Sequence, residues 1–288
     1  MKALFKKELH SYFTGIIGYI FCFLLLIIVG LNTYFSNINN LLVDFETTLG
    51  VSSYLFLMLA VPILSMRVIA EERKQSTDKL LYSLPLSSFQ IVVAKYLAML
   101  VVFLVPLIII SFYPLILSQY GALTLATSYS TICAFFLLGS AMLALGMFMS
   151  SITDNQIIAA ALTFVVIISN YFLSGYASDI SGTTTTSMVV IGCLILVIGA
   201  LCYLLTRHLV ISLALTLVLE GVLVVIYVFK EIWLENLVYQ IAMAISAFKR
   251  LNVFVNDLFD LTGIIFYLSL SFLFVFFTIQ SFEKRRWS

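Results

Sequence analysis

A long central stretch of this chain, residues 96–229, is almost without charge. Its only charged side chains are those of Asp154, Asp179, Arg207 and Glu220. A helix that crosses a bilayer needs about 20 mostly apolar residues, so this stretch has room for several spans in succession. Over all 288 residues, 62% are apolar and 10% are charged, whereas soluble domains contain about 25% charged residues. The composition excludes a water-soluble domain and predicts an all-α polytopic membrane protein.

Hydropathy and turn residues together predict eight membrane-spanning helices within a single transmembrane domain, residues 1–288. The spans lie near residues 15–35, 50–66, 91–117, 128–150, 157–174, 188–206, 209–229 and 263–282. Two other segments, 67–90 and 230–262, mix apolar residues with charges and should not span. The two spans within 188–229 are separated only by a very short turn at Arg207. If they form one re-entrant hairpin, six spans remain and the orientation is unchanged.

The positions of the basic residues predict that both termini face the cytoplasm, because Lys and Arg beside membrane spans are retained on that side. With the N-terminus inside, twelve basic residues are cytoplasmic: Lys2, Lys6, Lys7, Arg67, Arg73, Lys74, Lys79, Lys95, Arg207, Lys284, Arg285 and Arg286. Only Lys230, Lys249 and Arg250 are then outside. The net charge of +1 gives no field that favours nucleic acid, so none is expected as a partner.

The first 13 residues have the pattern of an amphipathic helix. Apolar residues share one side of this helix and lysines the other: Leu4, Phe5, Leu9, Tyr12 and Phe13 against Lys2, Lys6 and Lys7. Such a helix lies in the headgroup layer of a membrane, with its lysines toward anionic lipid. Residues 1–13 are therefore predicted to be either a simple membrane anchor or an elbow helix that contacts a cytoplasmic partner.

The segment 67–90, between the second and third spans, predicts a helix, a turn, a short helix, a second turn and then the third span. Arg67 and Glu71 are at helical spacing, which favours continuation of the second span into the cytoplasm. Gln75 and Ser76 then break this first helix.

The short helix of this segment carries an apolar ridge. Thr77 can cap the helix and Pro85 ends it, while Ser87 with Gln90 has the capping-box spacing that starts the third span. The ridge consists of Leu80, Leu81 and Leu84. A solvated linker would not require these leucines, so they indicate contact with a lipid surface or a protein groove.

Residues 66–98 resemble the permease subunits of ABC-2-type transporters, in particular the branch linked with gliding motility and nitrous-oxide-reductase maturation. The resemblance is carried by Glu-Glu-Arg-Lys at 71–74, Leu-Pro-Leu-Ser at 84–87 and Ile-Val-Val-Ala-Lys-Tyr-Leu at 91–97. Three further stretches, at 2–9, 151–157 and 266–287, support it. Their order and spacing extend the resemblance over most of the chain.

This resemblance implies a type V exporter-like helical bundle with a six-span core, in which 188–229 is an inserted hairpin. It implies an exporter in a bacterial plasma membrane that works with a cytoplasmic ABC ATPase subunit and a second permease copy or paralogue. A coupling helix, here about 77–84, would dock in a groove of the ATPase. The residues that would couple the two chains are Glu71, Glu72, Arg73, Thr77, Lys79, Leu80, Leu81, Leu84 and Pro85.

The sequence assigns ATP chemistry to another chain. It contains no Gly-Lys pair and hence no G-x-x-x-x-G-K-[ST] phosphate-binding loop. ATP and Mg²⁺ are therefore expected on the partner ATPase, and no catalytic residue, cofactor or metal site is expected here.

Two positions depart from the family pattern. Ser76 stands where glycine is usual, and Lys79 stands where glutamate is usual. Glycine at position 76 would ease a tight turn, and lysine at position 79 would favour a carboxylate on the partner.

The segment 230–262 is a second candidate for function. Apolar residues recur in it at helical spacing: Leu234, Leu237, Ile241, Ile245 and Phe248. The family resemblance implies short re-entrant helices that cap the translocation path on the outer side. The alternative is a helix that lies in the outer interface, held by Trp233 and Tyr239.

Glu220 lies at the middle of the predicted span 209–229, where an acidic side chain costs about 2.5–3.5 kcal/mol to insert. It is expected to face protein or water, either as a contact for substrate or protons or as a protonated carboxyl bonded to a neighbouring helix. The first possibility leaves open an ion- or proton-coupled secondary transporter. A membrane-embedded enzyme is disfavoured, because neither H-E-x-x-H nor paired intramembrane aspartates occur.

Small residues recur in the fourth span. Gly139 and Gly146 are seven residues apart, and Ser140 with Ala144 adds a small-xxx-small pair. Such a strip permits close approach of another helix backbone. We expect it to pack within the chain rather than form a seam between two copies.

Helix boundaries are marked by proline and by a polar turn. Pro106 and Pro114 are expected to bend the third span. Asp154, beside Thr153 and Gln156, is typical of a cap for the fifth span.

Overall fold

The computed structural model describes residues 1–40, 44–77, 86–176, 184–185, 187–192, 195–196, 216–224, 227, 235, 237–256 and 259–286. The regular structure in these ranges is helical, and no strand occurs among them. The chain divides into two compact units, one formed by residues 1–169 and 247–288 and the other by residues 170–246.

The helices follow the predicted order. They are α1 (Lys2–Thr14), α2 (Ile16–Thr33), which continues as a π-helix (Tyr34–Asn39), α3 (Phe45–Ser65), α4 (Ala70–Lys74), α5 (Ser88–Ile110), α6 (Tyr113–Leu117), α7 (Leu125–Ile152), α8 (Gln156–Tyr176), α9 (Leu237–Ile245), α10 (Ala247–Val255) and α11 (Leu261–Arg286). Of these, α9 belongs to the second unit, and α8 begins in the first unit and ends in the second.

Six helical stretches in the described residues are long and apolar enough to cross a membrane. They are Ile16–Asn39, Phe45–Lys74, Ser88–Leu117, Leu125–Ile152, Gln156–Leu173 and Leu261–Arg285. They confirm six of the eight predicted spans, and the chain fits a multi-pass membrane protein. The other two predicted spans, 188–206 and 209–229, lie largely outside the described residues, so the inserted hairpin remains a prediction.

The boundaries of the spans have local causes that can be read from the sequence. The predicted capping box of α5 is confirmed: Ser87 Oγ accepts from the Gln90 amide, and Gln90 Oε1 accepts from the Ser87 amide, each at 3.3 Å. Pro106 lies inside α5. Pro114 stands in the first turn of α6, so the third span is interrupted at residues 111–112, where a bend was expected.

The core of the first unit is a cluster of phenylalanines from four spanning helices. Phe21 of α2 lies edge-on to Phe56 of α3 and Phe103 of α5, with ring centroids 5.1 and 5.9 Å apart, and Phe103 lies 5.5 Å from Phe135 of α7. All four rings are fully buried. Because lipid is as apolar as these side chains, van der Waals packing holds the spans together here.

The small residues of α7 allow close contact with two other helices of the same unit. A Cβ at Gly139 would overlap the ring of Phe103, and a Cβ at Gly146 would overlap the side chain of Ser65 on α3. The predicted packing within the chain is therefore confirmed for this strip.

The helix α10 runs alongside α3 in the opposite direction. Val255 packs against Gly50, whereas Asn252 accepts a hydrogen bond from the Tyr54 hydroxyl at 2.6 Å, one turn further along α3. At the start of α10, the carbonyl of Ala247 accepts from the Tyr267 hydroxyl of α11 at 2.9 Å. Both interpretations of residues 230–262, short re-entrant helices and a helix in the outer interface, remain predictions.

Substituting Gly146 by alanine should destabilise the protein, because the added methyl group overlaps Ser65 and both helices are tightly packed. We expect a loss of about 1–3 kcal/mol, the usual effect of overpacking, seen as a lower thermal unfolding midpoint of the purified protein in detergent. Gly221→Ala is the matched control, since no described residue lies within 4 Å of a Cβ there. An equal loss in both variants would contradict this account.

Candidate functional site

The candidate site is the segment that follows α3. It lies at the end of the first unit where α1, α4, the α7–α8 turn and the C-terminus of α11 meet. We call this end of the unit the Lys95 end. The predicted ion pair between Arg67 Nε and Glu71 Oε2 is present at 2.6 Å. The span does not continue as one α-helix, however. It ends at Ser65, and α4 begins at Ala70 after a turn.

A single buried hydroxyl explains this turn. Ser150 Oγ, on α7, accepts from the amides of Ile69 and Ala70 at 3.2 and 3.0 Å and donates to the Met66 carbonyl at 3.0 Å. Backbone groups that leave the helical pattern must find other partners when buried. Ser150 provides them, and the sequence analysis missed it because its partners lie about 80 residues earlier in the chain.

Lys95 is the centre of the site. Its side chain is 1% exposed, although it stands in a spanning helix. Its Nζ donates to Glu72 Oε1 at 2.7 Å, to Glu8 Oε1 at 3.1 Å and to the Val68 carbonyl at 3.1 Å. These three acceptors use all three protons of the ammonium group. Lys95 thus joins α5 to α1, to α4 and to the turn between α3 and α4.

Arg73 fastens the other side of α4. Its side chain is 2% exposed; Nη1 donates to the Ser151 carbonyl and lies 4.0 Å from Asp154 Oδ1. Ser281 Oγ, on α11, donates to the same carbonyl at 3.0 Å. The Arg73 side chain thereby connects α4 to the α7–α8 turn.

Asp154 does not have the capping role that the sequence predicted. Asn155 Oδ1 accepts from the Ile157 amide at 2.9 Å and is the residue that caps α8. Asp154 instead forms a two-point pair with Arg285 of α11, with Nη2 2.9 Å from Oδ2. The hydrogen bonds from Arg285 hold the pKa of Asp154 below its usual range. A long-range cation has displaced the local bond that Asp154 could have made.

The N-terminal helix α1 is amphipathic, as predicted, and part of its apolar side packs on protein. Leu4 and Tyr12 are buried in the first unit, and burial raises the pKa of the Tyr12 phenol. Lys2 and Lys6 are exposed. Glu8 reaches Lys95 from this helix, a role that the sequence analysis did not assign. Both predictions for α1, a lipid anchor and an elbow helix that meets a partner, stay open.

The predicted coupling residues fall into two groups. Glu72 and Arg73 point into the protein and hold α4 in place, and Glu71 pairs with Arg67 at the surface. Thr77 closes the end of α4, with its amide and hydroxyl 2.9 and 3.2 Å from the Glu72 carbonyl. The remaining residues, Lys79, Leu80, Leu81, Leu84 and Pro85, lie outside the described residues, so the helix predicted at 77–84 remains a prediction.

Ser76 adopts a left-handed backbone conformation, with φ of 55°. It is the only non-glycine residue with positive φ in the part of the chain that the structure describes. This is the position where the family pattern has glycine, the residue that takes up such a φ without steric cost. The tight turn expected at residues 75–76 is therefore present.

Glu220 lies in a described helical piece of the second unit, residues 216–224. Its carboxylate is next to Gly192, since a Cβ there would be 3.5 Å from Glu220 Oε2. The side chain is half-buried. Its contact with substrate or protons remains a prediction.

Within the described ranges there is no group of three or more His, Cys, Asp and Glu side chains that could hold a metal ion. The buried charged groups of the Lys95 end, Lys95, Glu72 and Arg73, instead pair with other charged side chains or with backbone carbonyls. What this arrangement does is mechanical: it fastens the segment between the second and third spans to α1, α5, α7 and α11.

Comparison with protein-family models, with curated proteins and with solved structures finds no match for this chain.

Replacing Lys95 by glutamine should destabilise the protein strongly, because Glu8 and Glu72 would lose their shared cation while remaining largely buried. We expect a loss of about 3–5 kcal/mol, as for other broken buried ion pairs, measured as the thermal unfolding midpoint. Lys6→Gln, an exposed lysine on α1, is the control and should stay within about 0.5 kcal/mol of the original protein. A Lys95→Gln variant as stable as the control would refute the central role of this amine.

Replacing Ser76 by glycine should raise stability by about 1 kcal/mol, because the left-handed conformation costs a residue with a Cβ roughly that much. Gln75→Gly, one residue earlier with φ of −86°, should instead lower stability or leave it unchanged. The measurement is again the unfolding midpoint in detergent. The reverse order of the two variants would contradict a strained turn at Ser76.

Proposed function

We propose that this chain is the membrane-spanning permease subunit of an ABC-2-type transporter. A separate cytoplasmic ATPase hydrolyses ATP, and the assembled transporter contains a second permease copy or paralogue. The observation that carries the proposal is the fastening of the segment between the second and third spans. Lys95 and Arg73 tie the described part of this segment to the same end of the unit that holds α1 and the C-terminal end of α11.

Such fastening is what a force-transmitting segment requires. Residues 78–85 begin directly after the closed turn at Thr77 and end just before the capping box of α5. A displacement of these residues would reach α4 on one side and α5 on the other. From α4 it would pass to α1 through Glu8 and Lys95, and to α11 through Arg73 and the Asp154–Arg285 pair. Packed elements of this kind move as rigid bodies rather than deform gradually.

The orientation follows from the charges. The Lys95 end carries the exposed lysines of α1 and the basic C-terminus of α11, and basic segments stay on the cytoplasmic side of a bacterial plasma membrane. We infer that the ridge Leu80, Leu81 and Leu84 therefore meets the ATPase in the cytoplasm. Export as the direction of transport is inferred from the family resemblance.

The second candidate function is an ion- or proton-coupled secondary transporter, and the feature that favours it is the Glu220 carboxylate beside the backbone of Gly192. The two candidates differ in their energy source. A transporter driven by ATP needs a partner ATPase for turnover, whereas a secondary transporter moves its substrate with the chain alone and loses that activity in Glu220→Gln.

Replacing Leu80 by aspartate should uncouple the chain from its ATPase, because a charge in the middle of the ridge would be buried unpaired in the partner's groove. The experiment expresses a tagged form of the chain in its native host and measures how much ABC ATPase copurifies. Association should weaken at least about tenfold, as at a central interface residue. The unfolding midpoint of the chain should not change.

Tyr120→Asp is the matched control. Tyr120 is 80% exposed and lies in the connection between α6 and α7, away from the Lys95 end, so the same charge there should leave association intact. Normal ATPase association of the Leu80→Asp variant, or transport by the chain without any ATPase, would overturn the proposal.

A further inference from the structure

The end of the first unit opposite to Lys95 contains a polar cavity of about 560 Å³. It lies where α3 and α7 begin and α10 ends. Carboxylates, hydroxyls and an amide line most of it: Asp44, Glu46, Thr47, Thr124 and Asn256. No basic side chain lines it among the described residues. Cavities that bind small molecules usually measure about 300–1,000 Å³, so this one has the size for an organic ligand.

Glu46 is the unusual residue of this cavity. It is 7% exposed, yet no described basic side chain forms an ion pair with it. Its Oε1 accepts from the hydroxyls of Thr127, at 3.0 Å, and Ser128. Its other oxygen, Oε2, accepts no hydrogen bond from the described residues. Oε2 is not among the fully buried polar atoms that lack a partner, so it keeps some exposure, and the residue that carries it lines the polar cavity.

The surroundings reduce the negative charge without cancelling it. Glu46 stands in the first turn of α3 and faces the first turn of α7, and each helix N-terminus contributes about half a positive charge. Asp44, the N-cap of α3, is a second carboxylate on the same cavity. Two carboxylates at two helix N-termini leave a net negative cavity.

We propose that this cavity binds an organic cation through an alkylammonium group. Glu46 Oε2 and the Asp44 carboxylate are the charge partners of the ammonium, and the oxygens of Thr47, Thr124 and Asn256 are additional acceptors for its protons. Val255 with Ala122 and Leu123 offers apolar contact to the carbon chain. A metal ion fits less well. Metals are ligated by carboxylates, imidazoles and thiols, and only two of the lining side chains are of these kinds.

This inference does not depend on the proposed function. It concerns the opposite end of the molecule and a ligand that the purified chain should bind without an ATPase. The test is equilibrium binding of radiolabelled spermidine to the full chain in detergent at neutral pH, with the unfolding midpoint of each variant measured in the absence of spermidine.

Three variants separate the contributions. Glu46→Gln should weaken spermidine binding at least about tenfold, because it removes a charge-assisted hydrogen bond, and Asp44→Asn should weaken it severalfold. Asp260→Asn is the matched control, because Asp260 caps α11 as Asp44 caps α3 but does not line the cavity. Asparagine caps helices as well as aspartate does, so both Asp→Asn variants should fold normally. The control should bind spermidine like the original protein.

Several outcomes would overturn the inference. The first is the absence of saturable spermidine binding. The second is unchanged binding in both single variants, Asp44→Asn and Glu46→Gln. The third is an equal loss of binding in Asp260→Asn, which would indicate only general attraction of cations. Displacement of spermidine by Mg²⁺ at lower concentrations than by the diamine putrescine would assign the cavity to a metal ion instead. If Glu46→Gln does not fold, Asp44→Asn decides the outcome, because its side chain is at the surface.

Discussion

The ammonium group of Lys95 is the interaction on which the arrangement of this protein depends. An amine that is 1% exposed within a spanning helix requires acceptors for all three of its protons, and it finds them on three different elements. Glu8 comes from α1, Glu72 comes from α4, and the Val68 carbonyl belongs to the turn between α3 and α4. Since the loss of any one leaves a buried ammonium proton without an acceptor, which is costly, the three elements must assemble around α5 together.

Further contacts at this end join other elements, while Glu72 Oε2 is buried without a hydrogen-bond partner among the described residues. Ser150 meets the backbone groups that the turn after α3 leaves open, and Arg73 joins α4 to the carbonyl of Ser151. The Asp154–Arg285 pair then adds α11. Among the described residues, Ser76, two positions before residue 78, is the one non-glycine residue with a positive φ. Residues 67–77 are held firmly in this way. A segment held at this point is suited to pass a displacement into the membrane domain, which is the role we propose for it.

The two ends of the first unit treat charge in opposite ways. At the Lys95 end, buried charges are paired with each other and hold helices together. At the other end, Glu46, which is 7% exposed, meets two hydroxyls, two helix N-termini and an open polar cavity. A basic side chain paired with Glu46 would have occupied this part of the cavity. An uncompensated carboxylate facing a cavity instead leaves a place for a cation from outside the chain.

The sequence by itself determined what depends on neighbours along the chain. About 20 apolar residues make a span, so six spans were predictable, as were the capping box at Ser87 and Gln90, the Arg67–Glu71 pair and the turn at Ser76. Only the tertiary structure decided which distant groups meet. Lys95 and Glu8 are 87 residues apart, and Asp154 was expected to cap a helix but pairs with Arg285, 131 residues away. The physical reason is that a charge in a low-dielectric interior is stabilised by whichever partner the packing brings near, and sequence spacing does not record that proximity.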